Sequence, residues 1–178
     1  MKITIKKPFP ETLETQRFIG SMPTLSDLDE ACSMFQNKQF IACYGVVFSK
    51  EEVYKRLMSD INHWQQHGFG LWIWRDSTSQ HFIGRAGLKS ITIHEKSEVE
   101  LGYAIKPEYW GKGVALEMSL MAIELAFNTL SLASLVCFTR TQNQQSLRVM
   151  QKLRFQYEKD FIYLGFLQKL HRLKKSAS

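Results

Sequence analysis

The sequence holds three cysteines, Cys32, Cys43 and Cys137, an odd and scattered set with no CxxC pair. That spacing excludes a disulfide framework and a cysteine-built zinc site. Only 4 of the 178 residues are proline, no Pro-rich linker divides the chain, and no repeat of solenoid period is visible. Long apolar runs are missing too. The longest stretch, Val114 to Phe127, carries Glu117 and Glu124 and falls short of the ~20 residues that cross a bilayer, so a membrane partner is not expected. Lys2, Lys6 and Lys7 are followed by Pro8, Pro10 and Glu11 rather than by the apolar core of a secretory signal, which makes the cytoplasm the expected location. Two phosphate-binding signatures are absent: a GxGxxG reading fails at Leu116, and no GK[ST] occurs. His63 and His67 stand one helical turn apart without a third ligand, so they read as exposed helix histidines and no metal is expected.

What is present describes a globular protein. The apolar fraction is 44%, with 12 Phe, 6 Tyr and 4 Trp to fill a core. The length suits one domain over residues 1–178, as a monomer or homodimer, able to bury roughly 70% of its unfolded surface. The net charge is +6, and Lys169, Arg172, Lys174 and Lys175 concentrate part of it near the end. We read this stretch as a solvated basic tail, about 174–178, because no aromatic platform accompanies it and nucleic acid is therefore not the expected partner.

The pattern opens with a strand over Leu13 to Ile19, then a helix from Asp27 to about Phe35 capped by Ser26. Ser49 and Glu52 form a capping box for a second helix, on which Val53, Leu57, Ile61 and Trp64 recur at helical spacing before Gly68 stops it. Three strands follow, Phe69 to Arg75, His81 to Ile93 and Glu98 to Ile105, with a glycine at Gly102 that suggests a bulge. A buried helix runs from Gly113 to Leu130, then a strand from Ala133 to Arg140, a short helix from Asn143 through Lys152, and a closing pair, Phe155 to Leu164 and Phe166 to Leu173. The sum is an α/β (α+β) fold: a mixed, mostly antiparallel sheet of about seven strands with helices on both faces.

The segment from Val99 to Glu117 carries the chemistry. It reads strand, glycine-bearing turn, helix, and Gly111 and Gly113 let several main-chain N–H groups turn into one concavity at a helix start, which suits an anion such as phosphate. Glu100-Leu101-Gly102-Tyr103 followed by Pro107-Glu108-Tyr109-Trp110-Gly111-Lys112-Gly113-Val114-Ala115 resembles the acetyl-CoA-binding core of the GNAT superfamily of N-acetyltransferases, in the branch of the ribosomal-protein acetyltransferases RimJ and RimL. Leu13 to Phe18, Phe82 to Leu88 and Asn143 to Phe155 are similar to further pieces of that branch in the same order.

The resemblance implies acetyl-CoA as cosubstrate, no metal, and transfer of the acetyl group to a primary amine of a protein N-terminus or small molecule by direct attack in a ternary complex. It implies pyrophosphate on Trp110, Gly111, Lys112, Gly113, Val114 and Ala115, and pantetheine along Tyr103, Ala104, Ile105 and Asn143, with Ser146 beside it. Strands Glu98 to Ile105 and Ala133 to Arg140 would line the cofactor. The acceptor pocket would form from Ser26 to Gly68 and Tyr157 to Leu167. Glu100 is the candidate base for the ammonium proton and Ser146 the candidate acid for the leaving thiolate, whereas Tyr103 and Tyr109 read as core or rim aromatics. Trp110 stands where the family usually has Gln or Arg, and Arg154 where it usually has Gly, so the turn before Phe155 is expected to differ. The competing class is a non-catalytic acyl-CoA-binding or nucleic-acid-associated protein on the same scaffold.

Overall fold

A computed structural model describes residues 9–176; the reading of Lys2, Lys6 and Lys7 and the last two residues of the basic tail lie outside them. The chain builds β1 (Thr12–Glu14), β2 (Phe18–Ser21), α1 (Leu28–Phe35), α2 (Lys38–Tyr44), α3 (Lys50–His67), β3 (Leu71–Asp76), β4 (Phe82–Ile93), β5 (Lys96–Ile105), α4 (Val114–Asn128), β6 (Ser134–Arg140), α5 (Gln144–Lys152), β7 (Gln156–Tyr163) and β8 (Phe166–Lys174). Eight strands form one sheet in the order β1-β2-β3-β4-β5-β6-β8-β7. Every neighbouring pair is antiparallel except β5 with β6.

The count is eight rather than about seven because Leu13 to Ile19 is not one strand. Thr15 N–H and its hydroxyl both bond the Phe18 carbonyl, closing a tight turn that folds β1 back on β2. Ser26 does not cap the first helix: Thr24 caps a 3-10 turn over Leu25–Asp27, its N–H bonding the Asp27 carboxylate, and Asp27 is the N-cap position of α1. Sequence reading missed α2. Its signals are an Asn37 cap, whose Oδ1 accepts from Gln39 and Phe40 N–H, and Gly45 at φ +69° as the stop. The α3 capping box and its Gly68 stop form as expected.

Helices cover both faces. On one, α4 and α5 pack Val114, Met118, Ala122 and Met150 against Leu88, Leu101 and Ile105. On the other, Ala31, Phe35, Phe40 and Phe48 close over Ile73, Phe82 and Ala104. His63 is buried rather than exposed, its Nε2 accepting from Ser90 N–H at 2.8 Å, and burial pushes its pKa down to about 4, so it stays neutral inside the fold. The basic end is tethered: Lys174 closes β8, and the Lys175 ammonium bonds the Phe127 carbonyl.

Arg154 itself takes the left-handed position of the turn before Phe155, at φ +65° with its N–H bonded to the Gln151 carbonyl. A left-handed non-glycine residue costs about 1–2 kcal/mol, partly offset by the lower chain entropy of a non-glycine in the unfolded state. Arg154→Gly is therefore expected to raise stability by about 0.5–1 kcal/mol, read as a Tm increase of about 1–4 °C; an unchanged or lower Tm would show that the exposed Arg154 side chain compensates its backbone.

Candidate active site

The main-chain ladder between β5 and β6 holds at one pair, Glu100 with Val136. Past it the two strands diverge, and the resulting slot separates two cavities. Gly102 does not bulge: the β4–β5 ladder runs without a register break, with Gly87 opposite Gly102. The opening lies on the other edge of β5.

The first cavity, about 340 Å³, is lined by Tyr103, Ile105, Tyr109, Trp110, Gly111 and Gly113 through Leu116, and from the far side by Cys43, Tyr44, Asn143 and α5 residues including Ser146, Arg148 and Lys152. Gly111 and Gly113 take φ +72° and +74°, and a Cβ at Gly111 would meet nothing within 4 Å. The backbone conformation favours glycine there, and the space above Gly111 is open. Gly113 begins α4 with no side-chain cap, leaving the first N–H groups of a 15-residue helix directed at the cavity. Arg17 braces this turn: its Nε bonds Glu117 at 2.8 Å and its Nη1 bonds the Lys112 carbonyl at 3.2 Å. Sequence reading passed over Arg17 because its partners lie about a hundred residues away.

Trp110 serves as a strut. Its indole N–H donates to the Ile105 carbonyl at 2.8 Å, fixing the end of β5 relative to the glycine turn. Lys112 contributes its carbonyl to the brace and does not line the cavity. Ala104 lines the second cavity rather than the first, and Cys137 through Arg140 of β6 line it too.

The second cavity, about 330 Å³, lies between the α1–α3 layer and the β7–β8 hairpin, with Phe35, Val46, Phe48 and Arg56 on one wall and Tyr163, Leu164 and Phe166 on the other. The segments expected to form an acceptor pocket therefore do meet. Glu100 lines it, half-buried, with no hydrogen bond or ion pair to its carboxyl among the described residues. Burial pushes its pKa up to about 7, against the opposing pull of Lys89 and Arg85. That pull is weakened because buried Asp60 already pairs with Arg85 and, at 3.1 Å, with Lys89.

Tyr44, Tyr103, Asn143 and Ser146 line both cavities. The Tyr103 hydroxyl lies 2.8 Å from Ser146 Oγ, and the Tyr44 hydroxyl donates to the Tyr103 carbonyl at 3.1 Å. Asn143 caps α5, its Oδ1 accepting from Ser146 N–H at 3.1 Å and from the Cys43 thiol at 3.4 Å. Burial holds the Tyr103 phenol well above its ordinary pKa, so it keeps its proton at neutral pH. Tyr103 is thus a junction residue rather than only a core or rim aromatic. Tyr44 escaped sequence reading together with α2.

A glycine turn at a helix start on one side, a half-buried carboxylate on the other and hydroxyl groups between them make this the candidate active site. A family model described as acetyltransferase (GNAT) domain matches residues 17–156, and the chain belongs to this acetyltransferase family. The uncharacterized N-acetyltransferase YoaA of Bacillus subtilis is 26% identical over 148 residues, covering 82% of this chain and 83% of YoaA. A spermidine N(1)-acetyltransferase of Escherichia coli is 27% identical over 92 residues, 49% of this chain and 48% of that protein. The structure of RimL, a ribosomal alpha-N-protein acetyltransferase in complex with coenzyme A, superposes with TM-score 0.71 at 16% identity over 92% of this chain and 98% of that one. No described helix is long and apolar enough to cross a membrane.

The glycine turn is tested by comparing Gly113→Ala with Gly113→Glu. Both pay the same left-handed backbone penalty, but only Glu adds a carboxylate at the helix start. Wild type with CoA at 100–1,000 times its Kd should gain about 2.7–4.1 kcal/mol of stability. A folded Gly113→Glu protein should lose nearly all of that gain and Gly113→Ala only part; full stabilisation of both by CoA would place the phosphates elsewhere.

Proposed function

We propose that this acetyltransferase moves the acetyl group of acetyl-CoA onto a primary amine by direct attack, with both reactants bound at once. The supporting observation is the junction at which the two cavities share Tyr44, Tyr103, Asn143 and Ser146, with Glu100 lining the acceptor side. Pyrophosphate would sit on the main-chain N–H groups from Gly111 to Ala115, with Arg148 and Lys152 adding positive charge, and pantetheine would run through the gap that β5 and β6 leave. The acetyl thioester then lies between the cavities.

Attack by the amine nitrogen forms the new C–N bond and an oxyanion, which main-chain N–H groups at the splayed strand edges can receive. Glu100 takes the ammonium proton, through a water. Collapse of the tetrahedral intermediate breaks the C–S bond and releases thiolate. Tyr103, with its phenol held above the ordinary value, is a weaker acid than a thiol of ordinary pKa about 8.5. Its role, with Ser146 holding its hydroxyl, is to donate a hydrogen bond to sulfur as charge develops rather than to give up its proton. A non-catalytic acyl-CoA carrier would have no use for a second cavity opening onto that junction. Contact with nucleic acid is disfavoured because Lys169 pairs with Asp160, and Arg172 with Glu98 and Glu158.

The reading is tested on Glu100. Its group is half deprotonated near pH 7, so kcat/KM should rise with pH through about 7. Glu100→Gln should lower turnover roughly 10²–10⁴-fold and remove that ascending limb, measured as free thiol release. The same shift has a sign in stability. With the folded pKa raised above the unfolded value, the carboxyl's stabilising protonation is complete below about 4.5 and lost as pH rises through about 7, so Glu100→Gln should gain Tm relative to wild type at pH 8 compared with pH 5. An unaltered pH–rate profile in the variant would remove Glu100 from the reaction.

Tyr103→Phe supplies an independent check on the leaving side. It removes one donor to the developing thiolate, and losses near 10²–10³-fold accompany removal of one such donor elsewhere. CoA affinity should change little by comparison. Wild-type turnover in Tyr103→Phe would leave alignment alone to explain departure of the thiol.

A further inference from the structure

The acceptor cavity carries more positive charge than its own structure uses. Arg56, Arg85, Lys89 and Arg140 line it, against a single lining carboxylate, Glu100. Arg85 and Lys89 both pair with Asp60, which offsets one of their two charges. Arg56 and Arg140 have no carboxylate partner within ion-pair distance among the described residues. Both are nevertheless held in place. The Arg56 guanidinium lies 4.2 Å from the centroid of the Phe48 ring and that of Arg140 lies 3.6 Å from Phe166, aromatics that themselves line the cavity. Arg140 gives one long bond to the Gly45 carbonyl at 3.3 Å, while its Nη2 is buried with no partner at all.

An uncompensated guanidinium removed from water is costly, and an oxyanion in the same cavity would relieve that cost through paired N–H donors. The two arginines come from different walls, α3 and the end of β6, and stacking on aromatic faces fixes their planes before any ligand arrives. Glu100 occupies the same cavity and suits an amine. The lining is therefore matched to a molecule with a cationic end and an anionic end.

Resting on the proposed amine acetylation, we infer that the acceptor is an amino-acid-like zwitterion, a primary amine carrying its own carboxylate, with Arg56 and Arg140 binding the carboxylate while the amine faces Glu100 and the thioester. This excludes polyamines as good acceptors, since a second ammonium would be brought against two unpaired guanidinium groups. The spermidine acetyltransferase relative aligns over half of this chain and does not set the charge of this cavity. The acetyl transfer itself is unaltered: the carboxylate is bound, not consumed.

The test uses matched pairs, each an amino acid with a free carboxylate and its C-terminal amide, together with spermidine and a peptide with an amidated C-terminus, all assayed as free thiol release with acetyl-CoA. Wild type should favour each acid over its amide by at least ~10-fold in kcat/KM, since a charge-assisted paired contact is being compared with a neutral one. In Arg56→Ala and Arg140→Ala that ratio should fall toward one, chiefly through KM. Arg56→Lys should recover part of the ratio, because it restores charge without the paired geometry. Equal use of acid and amide by wild type would overturn the inference even if neither variant folds, and so would a preference for spermidine or the amidated peptide. Those outcomes leave amine acetylation standing. If CoA binds but no amine in the panel releases thiol, amine acetylation and the inference fall together.

Discussion

The arrangement of the two cavities depends on two parallel strands meeting at one point. β5 and β6 pair at Glu100 and Val136 and then part, while each stays fully laddered to an antiparallel neighbour on its other side. Right-handed twist accumulates between strands joined at a single pair, and nothing in the ladder closes the gap again. Unpaired main-chain edges inside a protein are costly unless they find partners. The Tyr44 hydroxyl takes the Tyr103 carbonyl and the Trp110 indole takes the Ile105 carbonyl, so side chains supply what a neighbouring strand would have supplied. The slot is held open by the same residues that line it.

The electrostatics of the acceptor side follow from which groups are already paired. Lys89 stands directly across from Glu100 on the neighbouring strand and, if free, would favour the carboxylate strongly. Asp60, reaching down from α3, engages both Lys89 and Arg85. Desolvation then outweighs the remaining attraction, and Glu100 is left titrating near neutrality, where a base can both accept and release a proton. Ion pairs between α3 and the neighbouring strand thus tune a carboxyl with which they make no hydrogen bond. His63 contributes no charge to this balance, because its ring is held neutral against Ser90.

How much of this could be read from sequence depended on the range of the signal. The glycines at 111 and 113, the Ser49 capping box and the Asn143 cap are local chemistry, and all three stand where their residues put them. The glycine turn was legible for that reason, and Trp110 drew attention only as a missing polar group, although its partner Ile105 is five residues away. The α2 segment was missed because seven residues with no strong periodicity give little pattern, although Asn37 and Gly45 mark its ends. With it went Tyr44 and Cys43. Arg17 and Arg56 could not be placed, since each acquires its role from residues brought close only by folding. Gly102 misled in the opposite direction: a glycine inside a strand suggested a bulge, yet the ladder there is regular and a Cβ would meet Leu71 only at an ordinary 3.5 Å.

The net charge of +6 also reads differently once its members are located. A basic C-terminal stretch suggested a solvated tail, but Lys169 and Arg172 face carboxylates across β7, β5 or both, and Lys175 bonds a helix-end carbonyl. Charge that is paired within a fold contributes little to the field a ligand meets. The lining cations without a carboxylate partner among the described residues are Arg148 and Lys152 of α5 at the first cavity and Arg56 and Arg140 at the second. Helix α4 adds its open N-terminus to the first of these. Part of the surplus that composition assigns to the molecule as a whole thus lies along one slot, where the proposed reactants would meet it.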